Sequence, residues 1–156
     1  MCTIYRRTFV AAALLVLSVA AGNIHAAGAA RTFAFEADKW FSLDDVKQGP
    51  ITLHRIQVAH QKGLLTKSNL FRPGNADYLA SVEIRIEYSN SATRDMKARL
   101  QIALLDEAGR EMDGYSGKED MDSEQKFQLI TIKLSTLKYA LDRAKQLRVA
   151  VDSEPE

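Results

Sequence analysis

From Tyr78 to Ser89 the chain reads YLASVEIRIEYS, with Tyr78, Ala80, Val82, Ile84, Ile86 and Tyr88 on the even positions. Ser81, Glu83, Arg85, Glu87 and Ser89 hold the odd ones. A helix repeats its faces about every 3.6 residues, so a two-residue period sustained this long requires a strand with one buried and one wet face. The pattern returns after SNSATRD, where Met96, Ala98, Leu100, Ile102 and Leu104 alternate with Lys97, Arg99 and Gln101. Two such strands in succession either pair directly or face each other across two packed sheets, since both arrangements bury the even positions.

The remaining segments extend this reading. DEAGR, residues 106 to 110, is a turn whose Gly109 can take positive φ, and the chain returns through Met112 and Tyr115 as a hairpin. In KFQLITIKL the apolar parity moves from Phe127 and Leu129 to Ile130, Ile132 and Leu134, which predicts a bulge or a strand buried on both faces. STLKYALDRAK spaces Leu137, Ala140, Leu141 and Ala144 at helical intervals behind a serine or threonine cap, predicting one short helix near residues 136–145. QLRVAV is a closing strand, and residues 152–156 read as a polar tail. Ahead of Tyr78, TFAF reads as a first strand, ADKWFSLDDVKQGP as an irregular or briefly helical link, and ITLHRIQVAH as a strand. A loop then runs to Asp77, with RPGN suited to a type II turn. Six or seven strands with one short helix make an all-β antiparallel sandwich. In strand spacing, Asp77 to Val151 resembles an immunoglobulin-like or fibronectin-III-like domain, a resemblance that implies a fold and no function.

Residues 1–26 have the pattern of a signal peptide: Arg6 and Arg7, then the short apolar run FVAAALLVLSVAA from Phe9 to Ala21, then IHA ending at Ala26. That run is shorter than the ~20 residues a membrane-spanning helix needs, so no integral span is expected after cleavage. Residues 27–156 then form a single domain without cysteine, because Cys2 leaves with the leader. Disulfides, iron–sulfur centres and thiol nucleophiles are excluded, and a periplasmic or secreted location in a bacterial envelope follows. The 19 basic and 20 acidic side chains left after cleavage nearly cancel, which disfavours nucleic acid and anionic membrane surfaces as partners.

His54 and His60 lie in one strand, about 20 Å apart at ~3.3 Å per residue, too far to share a metal. No carboxylate neighbours either one in sequence, and the parity change from Ile51 and Leu53 to Ile56 and Val58 predicts a bulge near His54. Asp120, Asp122 and Glu124 open like a calcium loop, but Gln125 and Thr131 stand where the EF-hand requires glycine and glutamate, leaving a solvated hairpin loop. Nucleophile-elbow, S-x-x-K and H-E-x-x-H motifs are absent, and Glu83 and Glu87 fall on the wet face. No cofactor, metal or catalytic residue is expected. Apolar side chains in polar surroundings remain: Trp40 and Phe41, with Leu64, Leu65, Leu70 and Phe71 in the long loop. They define an expected contact surface for another envelope or secreted protein, making the chain a non-catalytic interaction or accessory module. A small-ligand or carbohydrate binder using Trp40, Tyr78 and Tyr115 is one alternative. A hydrolase whose site is assembled only in three dimensions is the other.

Overall fold

The computed structural model describes residues 29–61 and 78–155. They form eight strands and one helix: β1 (Ala29–Ala34), β2 (Trp40–Gln48), β3 (Ile51–His60), β4 (Leu79–Asn90), β5 (Met96–Leu105), β6 (Glu111–Met121), β7 (Gln125–Leu137), α1 (Lys138–Arg143) and β8 (Gln146–Pro155). Two antiparallel sheets of four strands are ordered β1-β8-β5-β6 and β2-β3-β4-β7. The two alternating strands, β4 and β5, thus lie in different sheets. Their even-numbered side chains meet across the interior: Val82, Ile84, Ile86 and Tyr88 from one, Ala98, Leu100, Ile102 and Leu104 from the other, all buried.

The sandwich expected from alternation is present, with eight strands rather than six or seven. A constant-type immunoglobulin domain orders its sheets A-B-E-D and C-F-G, so no three consecutive strands share a sheet; here β2, β3 and β4 do. The added strand is β2, which occupies the segment read as an irregular or helical link. Its apolar positions fall out of period because the register against β3 shifts between Ser42 and Val46. There Asp44 and Asp45 take left-handed φ values of 44° and 55°. Aspartate is uncommon in strands, and a bulge is where such residues are tolerated. The β2–β3 hairpin closes on Gly49 and Pro50, with Gly49 at φ 58° ahead of a proline fixed near −65°, the pattern of a type II′ turn.

Three other segments depart from the sequence reading. β6 runs through Met121, so GKED is strand and only Asp122 to Glu124 turns, crossing from one sheet to the other rather than closing a hairpin. β8 continues to Pro155, and Asp152 to Pro155 pair with Met96 to Arg99 instead of hanging as a tail. Finally, α1 has Leu137 as its N-cap without a side-chain bond. Ser135 and Thr136 stay in β7, and Asp113 from β6 accepts from the Thr136 hydroxyl (2.7 Å) and the Leu137 amide (2.8 Å). β7 has its bulge ahead of the parity change: Phe127 has φ 53° and the pairing with β4 shifts between Tyr88 and Asn90, whereas Gln128 to Leu137 pair regularly, with Leu129 exposed and Ile130, Ile132 and Leu134 turned to the core. The expected hairpin at Asp106 to Arg110 is present, with Gly109 at φ 76°.

Each lateral seam of the sandwich has its own closure. On the β1–β2 side Phe41 packs between Phe33 and Phe35, with ring centroids 5.5 and 6.1 Å away. Arg31 donates there to the Leu43 carbonyl (3.2 Å) and pairs with Asp44. On the β6–β7 side Tyr115 lies across Gly117 and donates to Glu119. A Cβ at Gly117 would sit 1.9 Å from the Tyr115 hydroxyl, so only glycine lets the ring lie flat. Burial first, and then the Glu119 carboxylate, push the Tyr115 phenol well above its ordinary range.

The crossover from β4 to β5 depends on Asn90, which is 1% exposed. Its Nδ2 donates to the carbonyls of Met121 (2.9 Å) and Asp122 (3.1 Å), and its Oδ1 accepts from the Ala92 amide (2.9 Å). One side chain therefore ties the end of a strand in one sheet to the end of β6 in the other. Asn90→Ala orphans these buried backbone groups and is expected to cost about 2–3 kcal/mol, measured as a lower urea midpoint with unchanged slope.

Candidate functional site

Pairing register places the side chains on the outer face of the β2-β3-β4-β7 sheet in transverse rows. One row holds Trp40, Gln57, Arg85 and Thr131, and the next Ser42, Arg55, Glu87 and Leu129. A third, where β2, β3 and β7 bulge, holds Asp45, His54, Ser89 and Phe127. Four of the six exposed large apolar side chains among the described residues lie on this face: Trp40 (39% exposed), Phe127 (65%), Leu129 (54%) and Leu137. The other two, Tyr78 and Tyr139, flank the end where Leu137 lies.

Between the apolar groups runs a ladder of charges. The Arg55 guanidinium lies 4.7 Å from the Trp40 ring centroid and donates to Glu87 at 2.7 and 3.1 Å. Arg85 donates to Glu83 (2.7 Å) and to the Gln57 side chain (3.3 Å), and Lys133 is 3.8 Å from Glu83. Glu83 and Glu87 face outward as alternation requires, but these cations cover them, leaving their side chains only 15% and 18% exposed. Guanidinium groups packed over carboxylates and an indole fix a rigid, mixed surface.

Both histidines have carboxylate partners that sequence neighbourhood did not reveal. His54 Nδ1 is 2.6 Å from Asp45, its Nε2 is 2.7 Å from the Ser89 hydroxyl, and its ring stacks on Phe127 at 4.7 Å. The bulge expected near His54 is present between Leu53 and Arg55, and it aims the ring along the row. His60 Nδ1 is 2.8 Å from Asp38, whose other oxygen accepts the His60 amide at 2.8 Å. Nothing in local sequence marks Asp38 or Asp45, because each reaches its histidine across the β2–β3 pairing. A left-handed φ, 67° at Asp38 and 55° at Asp45, is common to both.

The proposed contact residues are dispersed. Trp40 is on the outer face; Phe41, its neighbour on an alternating strand, packs against the core. Leu64, Leu65, Leu70, Phe71 and the RPGN turn lie outside the described residues, as does the expected leader. The aromatic platform is not assembled: Tyr115 points inward, and Tyr78, given core parity by alternation, precedes β4 and is 69% exposed. Among the described residues no three histidine, cysteine or carboxylate side chains group to hold a metal. None of their helices is long and apolar enough to cross a membrane. No family model matches the chain, and no curated protein matches it in sequence.

The Asp38–His60 pair makes a pH prediction. Hydrogen bonds from the His60 amide, then from its ring, hold the Asp38 carboxyl below its ordinary value. A depressed folded value stabilises the fold above the ordinary carboxylate range, and that contribution is lost as pH falls through the folded value. Asp38 is largely exposed, so it contributes less than about 1 kcal/mol. The fall in urea midpoint between neutral pH and pH 3 is expected to be smaller in Asp38→Asn than in the wild type.

Proposed function

We propose that the chain is an exported interaction module that recognises another envelope or secreted protein through the outer face of its β2-β3-β4-β7 sheet. The observation that carries this is the placement of Trp40, Phe127, Leu129 and Leu137 on one sheet face. The opposite sheet's outer face has no exposed large apolar side chain among the described residues. Apolar anchors set among paired charges are the composition of a recognition surface, with Trp and Arg the residue types that most often dominate binding. The leader read in residues 1–26 supplies the exported setting.

The carbohydrate reading is weaker on this geometry, because the Arg55 guanidinium lies over the Trp40 ring and Tyr78 and Tyr115 do not join it. A hydrolytic reading draws on a separate feature, the Asp45–His54–Ser89 row.

Site-specific photocrosslinking tests the binding face. A photoreactive side chain at Leu129 is expected to give a reproducible crosslinked species in the native envelope; one at Ala150, on the opposite outer face, is not. Trp40→Ala combined with Phe127→Ser is expected to reduce the Leu129 product at least several-fold. Equal crosslinking from both faces would remove the case for this surface.

A further inference from the structure

The row of Asp45, His54 and Ser89 has a fixed direction of hydrogen bonding. The Phe127 amide can only donate, so Ser89 Oγ accepts from it at 3.1 Å. The Asp45 carboxylate can only accept, so His54 Nδ1 carries the hydrogen toward it. In the neutral ring Nε2 is then the free base, and the Ser89 hydroxyl donates to it at 2.7 Å. A hydroxyl on Nε2 with a carboxylate on Nδ1 is the arrangement that activates a serine nucleophile, recognised by geometry rather than by position in the chain.

Left-handed backbone marks both ends of this row, and β3 bulges at His54 between them. Asp44 and Asp45 at one end, and Phe127 at the other, hold left-handed φ values of 44°, 55° and 53°. Such conformations cost of order 1–3 kcal/mol each in non-glycine residues and concentrate where geometry serves a function. Bulges in β2, β3 and β7 bring the carboxylate, the ring and the amide into one row with the hydroxyl.

We propose that Ser89 is an acyl-accepting nucleophile with His54 as its base, acting on carboxylic esters with short apolar acyl groups. Asp45 is the positioning residue that fixes the imidazole tautomer. Ser89 Oγ adds to the ester carbonyl as its proton passes to His54 Nε2. The carbon–oxygen bond to the alcohol then breaks, and the alcohol leaves with that proton. Water attacks the resulting Ser89 ester, giving its proton to His54, and the carboxylic acid leaves as Ser89 regains a hydrogen. As Oγ moves onto the carbonyl carbon, the Phe127 amide is released to donate to the developing oxyanion. The exposed side chains of Phe127 and Leu129 flank the hydroxyl and give an acyl chain its apolar contact. This activity goes beyond the binding role: it shares the Phe127 and Leu129 side chains with that surface but needs neither Trp40 nor a protein partner.

The full chain is treated with a tagged alkyl fluorophosphonate, and the adduct is mapped by peptide mass spectrometry. Hydrolysis of p-nitrophenyl butyrate is followed in parallel. A single adduct at Ser89 is expected, absent in Ser89→Ala. The labelling rate is expected to fall about 100-fold or more in His54→Gln, within the range for loss of a general base. Circular dichroism establishes that each variant is folded. Should His54→Gln unfold, Asp45→Asn carries the comparison, because its side chain is exposed, and a clear loss of rate is expected there too. No adduct at Ser89 in the wild type overturns the proposal, and so does undiminished labelling in a folded His54→Gln or Asp45→Asn protein. A purely structural role for the row gives those negative outcomes together with a lowered melting temperature.

Discussion

Everything in this fold depends on β4 and β5 burying their even-numbered side chains against each other while belonging to different sheets. Neither strand can meet that requirement by pairing with the other, so the chain must leave one sheet and enter the next within a few residues. Asn90 makes the passage possible by satisfying the backbone groups that the corner leaves without ladder partners. Once that corner is set, β3 and β7 pair on either side of β4, and β6 and β8 on either side of β5. The core closes around fully buried Leu53, Ile56, Ile86, Leu100 and Leu147.

Sequence alone resolves this core well because each central strand has one wet face, and period-two alternation survives only where one face is wet. It fails where a bulge breaks the period. β2 was hidden because Asp44 and Asp45 interrupt it at the position where Leu43 and Val46 turn inward together. The extent of β6 was hidden because its inward positions include Gly117 and Glu119, chosen for Tyr115 rather than for hydrophobicity. The parity change at His54 was legible as a bulge, yet its consequence was not. Partners brought together by strand pairing, 9 and 35 residues from His54, leave no mark in its neighbourhood. The same holds for Asp113, which stabilises the start of α1 from another strand in place of the expected serine or threonine cap.

The outer face of the β2-β3-β4-β7 sheet combines two kinds of order. Its middle rows are held by ion pairs and a guanidinium over an indole, contacts that fix side-chain positions more than they add stability. Its bulged row is held by a chain of hydrogen bonds from the Phe127 amide to the Asp45 carboxylate, spanning all four strands. The proposed recognition spans both, while the proposed chemistry centres on the second. Because they occupy adjacent rows, substitutions at Arg55 or Glu87 can alter one without moving the other.

The inward carboxylate of Glu119 has a consequence for how many neighbours the molecule can accept. An edge strand with a charge aimed at the core resists pairing with another chain, since a new strand would press that charge further from water. β1 is only six residues long, and β2 is broken by its bulge, so neither offers a long template. β7 beyond its bulge, from Leu129 to Leu137, is the one long edge among the described strands with neither a bulge nor an inward charge. In the language of assembly the described strands have a valence of one. Joining along that edge uses it up, and the described strands present no second edge of the same kind on which a ladder could grow.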